Sequence, residues 1–244
     1  TILRPLRPAA LSNRGHVVGR MFDVLHGLLG QAVPEALCGA GFSDSPHFMY
    51  FGHDRRGEWF QLYQIGFGGL PARPFGDGFD GHALWPGFKS VPNEFLETYY
   101  PLRVEAYETL PDTGGAGFFR GGNGLRVVYR LLEEGEISIH DDRWLTFPWG
   151  VKGGRPGARG SKLLIRASGE KEWLPAKCDG VKVMPGDQLV FDTWGAGGWG
   201  DPLDRDAEKV AQEVRQGLVT GEGAANYGVV PTDELTVDAR RTER

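Results

Sequence analysis

The sequence predicts an α+β protein, mostly antiparallel β-structure, with an N-terminal helix and a C-terminal helical pair. Three observations predict it. Glycine supplies 38 of 244 residues and proline 16, so glycine stands at roughly double its usual ~7% share. These residues lie scattered between short apolar runs, the punctuation of short strands joined by many specific turns. Strong helical periodicity occurs at two places only, one near each end of the chain.

Taken in order, residues 1–12 hold "ILRPLRP" and read as an extended arm. Over 14–32, Val17, Val18, Met21, Val24, Leu25, Leu28 and Leu29 recur at i, i+3/i+4 and i+7/i+8, an amphipathic helix. Asn13 is its candidate cap and Pro34 its stop; Gly19 and Gly27 either weaken it or admit a close neighbour. Residues 46–67 read as a hairpin, two aromatic-rich runs about the polar turn "HDRRG". A Gly/Pro loop, "GGLPARPFGDGFDG", follows, then a helical turn at Glu94–Thr98 and a strand over 102–110. Further strands are predicted at 125–133, 136–140 and 161–167, and "EWLPAKCDGVKVMPGDQLVFDTW" continues the β pattern. Residues 205–219 form the second clear helix, with Asp206 as N-cap, Glu208 in the first turn, and Val210, Val214 and Leu218 one turn apart. "TGEGAANYG" adds a short helix, and 231–244 is a charged tail. The expected layout is an arm at 1–12, a β-rich domain at 13–203, a helical segment at 204–230 and the tail.

A net charge of −5 without a basic stripe argues against nucleic acid and anionic membranes as partners. Apolar runs are only a few residues long, so no membrane span is expected, and the N-terminal stretch lacks a signal-peptide core. A cytoplasmic protein is the expectation. Cys38 and Cys178 lie far apart without a CxxC or zinc spacing, which fits two reduced thiols.

Residues 112–124, "DTGGAGFFRGGNG", raise the question of a phosphate cradle. Such loops put glycine-rich backbone at the start of a helix. Here "LRVVYRLL" follows, whose branched and aromatic residues favour a strand, and no GK[ST] occurs. Glycine used for positive φ and close backbone packing is the favoured reading. His140 and Asp142 would share a strand face and form a two-ligand metal candidate. Asp77, Asp80 and His82 make a second polar cluster, and Glu94 and Glu97 stand one turn apart beside Asn93. There is no G-x-S-x-G. Thr1 is a weak candidate for an N-terminal nucleophile.

Six motifs in order, "GGLPARPFGDGFDG", "PNEFLETYYPLRVEAYE", "PDTGGAGFFRGGNGL", "DDRWLTFPWGVKGGRPG", "LPAKCDGVKVMPGDQLVFDTWGAGGWGDPLDRD" and "VAQEVRQGLVTGEGAANYGVV", resemble the C-terminal half of the hydantoinase B/oxoprolinase family. The resemblance implies an ATP-binding hydantoinase A-type partner, the N-terminal half of the B-type subunit, and a hetero-oligomer acting on a small molecule. Family members open cyclic amides such as hydantoins or 5-oxoproline with ATP. Related complexes carboxylate acetone or acetophenone. Both chemistries phosphorylate an amide or enolate oxygen. The resemblance puts ATP and Mg²⁺ on the partner and a divalent metal in the N-terminal half, with none in this chain. Gln64 stands near a Glu of many cyclic-amide members, and "GEWFQLYQIGFGG" with "HALWPGFKSVPNEF" suggests a ring-lined pocket.

The leading expectation is therefore the C-terminal part of a B-type subunit of an ATP-dependent cyclic-amide hydrolase. The alternatives are a subunit of a ketone carboxylase and a structural subunit of either complex. If the segment touches substrate, Asp112, Arg120 and Arg73 are the catalytic candidates. Arg73 or Arg120 would steady an oxyanion or phosphate, with Asp77, Asp80, His82, Asn93 and Glu94 as binding candidates. The competing structural reading pairs a buried Arg120 with Asp112. The arm is expected to meet the other half of the subunit. Apolar surface left bare would make the isolated chain unstable as a monomer.

Overall fold

The computed structural model describes residues 4–9, 14–42, 46–83 and 88–230. Asn13, the tail at 231–244 and parts of the arm lie outside the described residues; residues 4–9 are exposed and irregular. Helix α1 (Arg14–Leu29) leads through a 3-10 turn (Pro34–Ala36) to the hairpin of β1 (His47–His53) and β2 (Trp59–Ile65). Asp54 builds the hairpin turn: its backbone N–H donates to the Glu58 carbonyl, and its Oδ1 accepts the backbone N–H groups of Arg56 and Glu58 at 2.8 and 2.9 Å. Then follow α2 (Asn93–Tyr99), β3 (Leu102–Thr109), β4 (Leu125–Leu131), β5 (Gly135–His140), β6 (Ser161–Ile165), β7 (Lys171–Trp173), β8 (Lys177–Val183) and β9 (Gln188–Asp192). Helix α3 (Ala207–Arg215) and a 3-10 turn (Gly223–Tyr227) complete the α+β fold. Asp206 caps α3 as its sequence position requires, its Oδ1 accepting the Glu208 N–H at 2.8 Å.

Two antiparallel sheets, ordered β2-β1-β5-β8 and β3-β4-β9-β6-β7, face each other. Alternation decides which side chains meet. On β4, Leu125, Val127, Tyr129 and Leu131 point inward and their neighbours do not. They pack with Phe48 and Tyr50 of β1, Ile137 and Ile139 of β5, and Leu189 and Phe191 of β9. The Phe48 ring bridges the sheets, 5.0 Å from Tyr129 and 6.4 Å from Phe191 between centroids.

Beyond the sandwich, four glycine-rich segments, 66–81, 112–124, 148–158 and 194–200, lie backbone against backbone. They exchange hydrogen bonds without forming strands: Gly69 N–H to Trp194 O, Gly122 N–H to Leu70 O, Ala196 N–H to Gly122 O, Gly115 N–H to Ala196 O, Arg155 N–H to Ala116 O, and Gly198 N–H to Arg155 O, all 2.7–2.9 Å. No room is left for side chains. A Cβ on Gly69 would collide with the Gly122 carbonyl oxygen, one on Gly195 with that of Thr113, and one on Gly197 with that of Trp149. The run at 112–124 is thus occupied by neighbouring backbone. Its glycines serve close approach.

Gly195→Ala must push two backbones apart, so about 3 kcal/mol of stability should be lost. Gly76→Ala, whose added methyl meets only the Arg73 guanidinium at 3.4 Å, should stay within about 0.5 kcal/mol of wild type. Denaturant midpoints of the two variants check this contrast.

Candidate functional site

Two polar centres hang on this frame. The first is a buried ionic knot. Arg120, at the turn of the glycine run, is 3% exposed. Its Nη1 and Nη2 donate to the Asp80 carboxylate at 2.9 and 3.1 Å, its Nε to Glu213 at 3.2 Å, and Nη1 again to the Gly121 carbonyl at 2.8 Å. Arg205, just before α3, is 1% exposed and mirrors it. It donates to Asp77 at 2.8 and 3.0 Å, to Glu213 at 2.7 and 3.2 Å, and to the Phe118 carbonyl at 2.7 Å. Lys209 reaches Asp77 at 2.7 Å. Burial alone would push the Asp77 carboxyl up, but Arg205 and Lys209 hold it well below the usual carboxylate range. Burial likewise opposes the Arg120 charge, and Asp80 more than restores it. Backbone joins the knot too: the Arg120 N–H donates to Asp77 at 2.7 Å and the Asn123 N–H to Asp80 at 2.6 Å. Two guanidinium groups and three carboxylates so placed clamp the loop at 77–80, the glycine run and α3 together.

Asp112 is not the partner of Arg120. It sits at φ 60°, and its Oδ1 accepts the Thr220 N–H at 2.9 Å, tying the glycine run to the C-terminal turn. Arg73 lies at the rim: its Nη2 donates to the Asp77 carbonyl at 2.8 Å, and its guanidinium lies 4.6 Å from the Phe79 ring and 5.2 Å from that of Phe75. His82 is bonded through Nδ1 to the Ala83 carbonyl at 2.9 Å, its ring 5.6 Å from Phe79. Asn93 and Glu94 stand elsewhere, in the first turn of α2, which packs on β3. Gln64 faces the sandwich interior beside Phe48, Phe67, Tyr107 and Tyr129, where a cavity of about 10 Å³ remains. That space is smaller than a substrate needs and barely admits one water.

The second centre joins α1 to the strands. His140 and Asp142 are drawn to different partners: His140 Nε2 meets Asp179 at 2.8 Å, while Asp142 meets His16 Nδ1 at 3.1 Å and Lys177 at 2.5 Å. His16 Nε2 continues to His47 Nδ1 at 3.2 Å, and the two rings stack with centroids 5.1 Å apart. Both histidines are buried. With the His16 Nδ1–H given to Asp142, its Nε2 accepts the Nδ1–H of His47, an Asp–His–His chain capable of passing a proton. Hydrogen bonding to His16, helped by Lys177, holds the Asp142 carboxyl well below its ordinary range. Its neighbours are rivets. Asp141 pairs with Lys162 at 2.8 Å, both fully buried, and Lys162 donates to the Asp192 carbonyl and lies 4.0 Å from the Phe191 ring. Arg143 pairs with Asp23 of α1. Among the described residues no group of three or more His, Cys, Asp or Glu is placed to hold a metal.

Sequence reading missed His16 and His47 because no local spacing links residues 31 positions apart. The one available signal is that His16, Gly19, Arg20 and Asp23 form a polar arc on an otherwise apolar helix. The fold buries that arc. Gly27 lets Trp149 approach, a Cβ there coming within 3.2 Å of the indole.

The sandwich with its glycine-packed loops has a counterpart among solved structures. The caprolactamase of Pseudomonas jessenii, described as ATP-dependent, matches it with a TM-score of 0.78 at 28% identity, over 88% of this chain and 39% of that one. The chain belongs to the hydantoinase B/oxoprolinase family, whose model matches residues 1–202. A B-type subunit of a D-/L-hydantoinase, assigned in Pseudomonas sp. (strain NS671), is 31% identical over 99% of this chain and 41% of its own length. The acetophenone carboxylase delta subunit of Aromatoleum aromaticum is 29% identical over 75% of this chain and 32% of its own. The chain spans about two fifths of the length of the hydantoinase relative. No described helix is long and apolar enough to cross a membrane.

Two outcomes test the site. Arg120→Ala leaves the Asp80 carboxylate without its cation and Glu213 with Arg205 alone, and should cost about 3–5 kcal/mol. A variant that melts like wild type, yet turns over poorly in the assembled enzyme, would instead mark Arg120 as catalytic. For Asp142, a folded-state pKa below the unfolded value gives stability that is present above about pH 4 and lost as pH falls. The stability gap between wild type and Asp142→Asn should therefore be full near pH 5 and narrow toward pH 3, read from denaturant midpoints.

Proposed function

We propose that this chain is the C-terminal part of a B-type subunit of a cytoplasmic, ATP-dependent cyclic-amide hydrolase. It works with an ATP-binding A-type partner and the N-terminal half of the B-type subunit. The observation that carries the reading is the likeness to the B-type subunit of a hydantoinase over 99% of the chain. The caprolactamase fold supports it, since both relatives are named for cleaving a ring amide. ATP and Mg²⁺ belong to the partner in this reading, and a divalent metal to the N-terminal half.

Within the chain, the two centres take different parts. The knot of Asp77, Asp80, Arg120, Arg205 and Glu213 has most of its donors committed, which favours a scaffold that shapes the loops. Arg73, beside Phe75 and Phe79, retains a rim position from which a cation can meet an anionic phosphorylated intermediate. Asp112 holds the C-terminal turn, and Asn93 and Glu94 present a separate polar end of α2. With the Nδ1–H of His47 given to His16, the Nε2 of His47 is the atom that takes a proton from the attacking water and returns it to the leaving amide nitrogen. The likeness to the acetophenone carboxylase delta chain favours a second reading, in which the same frame serves an enolate and bicarbonate.

The assembled complex decides between them. ATP cleavage stimulated by a hydantoin, 5-oxoproline or a lactam, with ring-opened product in step, is the expected result. Stimulation by a ketone only with bicarbonate present would establish the carboxylase. Arg73→Ala is expected to lower kcat at least tenfold with assembly unchanged.

A further inference from the structure

Met21, Val24, Leu25, Leu28 and Leu29 of α1 are each between 41% and 61% exposed. At about 100° per residue they share one side of the helix, within an arc of roughly 140°. The other side is pinned by polar contacts, His16 to Asp142 and His47 and Asp23 to Arg20 and Arg143, and by the close approach of Gly27 to the Trp149 ring. Rolling α1 to bury its apolar side would drag these buried charges apart, so the apolar side is committed outward. A surface helix of a self-sufficient domain does the reverse. The exposed arc amounts to roughly 500 Å², at the upper end of what a monomer leaves bare.

We propose that this arc is the seat of the B-type polypeptide that the relatives carry beyond the stretch matched here; the proposal rests on the family reading above. Three observations select that occupant. The relatives extend far past the match, which covers 41% of the hydantoinase chain and 39% of the caprolactamase chain. The hydantoinase match includes 99% of this chain, so α1 belongs to the shared fold. Finally, two copies pairing through this arc would bury roughly 1,000 Å², short of the ~1,200–2,000 Å² of a stable specific interface. An all-apolar face without charge at its centre is also the character of permanent contacts rather than dissociable ones.

A photo-crosslinking p-benzoylphenylalanine at Leu25, in the complex as purified, reads the neighbour directly. Adducts are expected in B-type sequence outside these 244 residues. A probe at Trp173, exposed on β7, should give none there. Adducts in the ATP-binding chain or in a second copy of this chain, or no excess over the Trp173 probe, overturn the proposal. Amide exchange supplies the second measurement. Over residues 21–29 of the complex it should run at least tenfold faster after Leu25→Glu with Leu28→Glu, while the strands keep wild-type protection. Unchanged exchange over 21–29 also overturns it. The functional reading fails separately, by loss of any substrate-stimulated ATP cleavage, whichever sequence carries the Leu25 adduct.

Discussion

Close packing of backbone on backbone is the constraint on which the rest of this structure depends. Four segments far apart in the chain meet where no side chain intervenes, and their N–H and C=O groups satisfy one another without a ladder. The arrangement fixes the position of every residue projecting from those segments. Asp77, Asp80 and Arg120 meet because the loop at 76–81 is sewn to the glycine run, Gly78 N–H to Arg120 O at 2.7 Å and Gly81 N–H to Asn123 O at 2.9 Å. Glycine loses more conformational freedom on ordering than any other residue. The dense hydrogen bonding and the buried ion pairs at the margin of the layer offset that cost.

A second constraint works where α1 meets the strands. Three consecutive residues, Asp141, Asp142 and Arg143, leave β5 and anchor in three directions: into the sandwich at Lys162, onto His16, and onto Asp23. Desolvating so many charges is unfavourable unless each has a partner. The consequence is specificity of placement. Helix α1 is held by directional polar contacts, and its rotation about its own axis is set, whereas an apolar contact of equal area would tolerate repacking.

Much of the fold was legible in the residues. Strands such as β4 showed alternation, the polar "HDRRG" marked the hairpin turn, Asp206 stood as the cap of α3, and α3 carried one face of Val210 and Val214. The orientation of α1 was not legible, because periodicity gives a stripe but not the side on which the core lies. The glycine layer was foreseen as close packing, yet its partners could not be, since a glycine names no neighbour. For the polar centres, sequence marked Arg73, Asp77, Asp80, Asp112 and Arg120 by their setting among glycines; Asp77, Asp80 and Arg120 meet in the knot, while Asp112 and the Arg73 guanidinium bond elsewhere. Arg205, Glu213, His16 and His47 escaped notice, because each reaches its partner across a distance in the chain that no local pattern encodes.

That distance also bears on how the chain acquires its structure. The knot joins residues 43, 93 and 128 positions apart, and contacts of such long range form slowly because loop entropy must be lost first. During synthesis the carboxylates at 77 and 80 and Arg120 emerge well before Arg205 and Glu213, and for that interval the glycine segments have only the Arg120–Asp80 half of the clamp. Helix α3 is therefore a latch that closes late, and a polypeptide interrupted before it lacks the second cation and the shared carboxylate that lock the layer on which everything else depends.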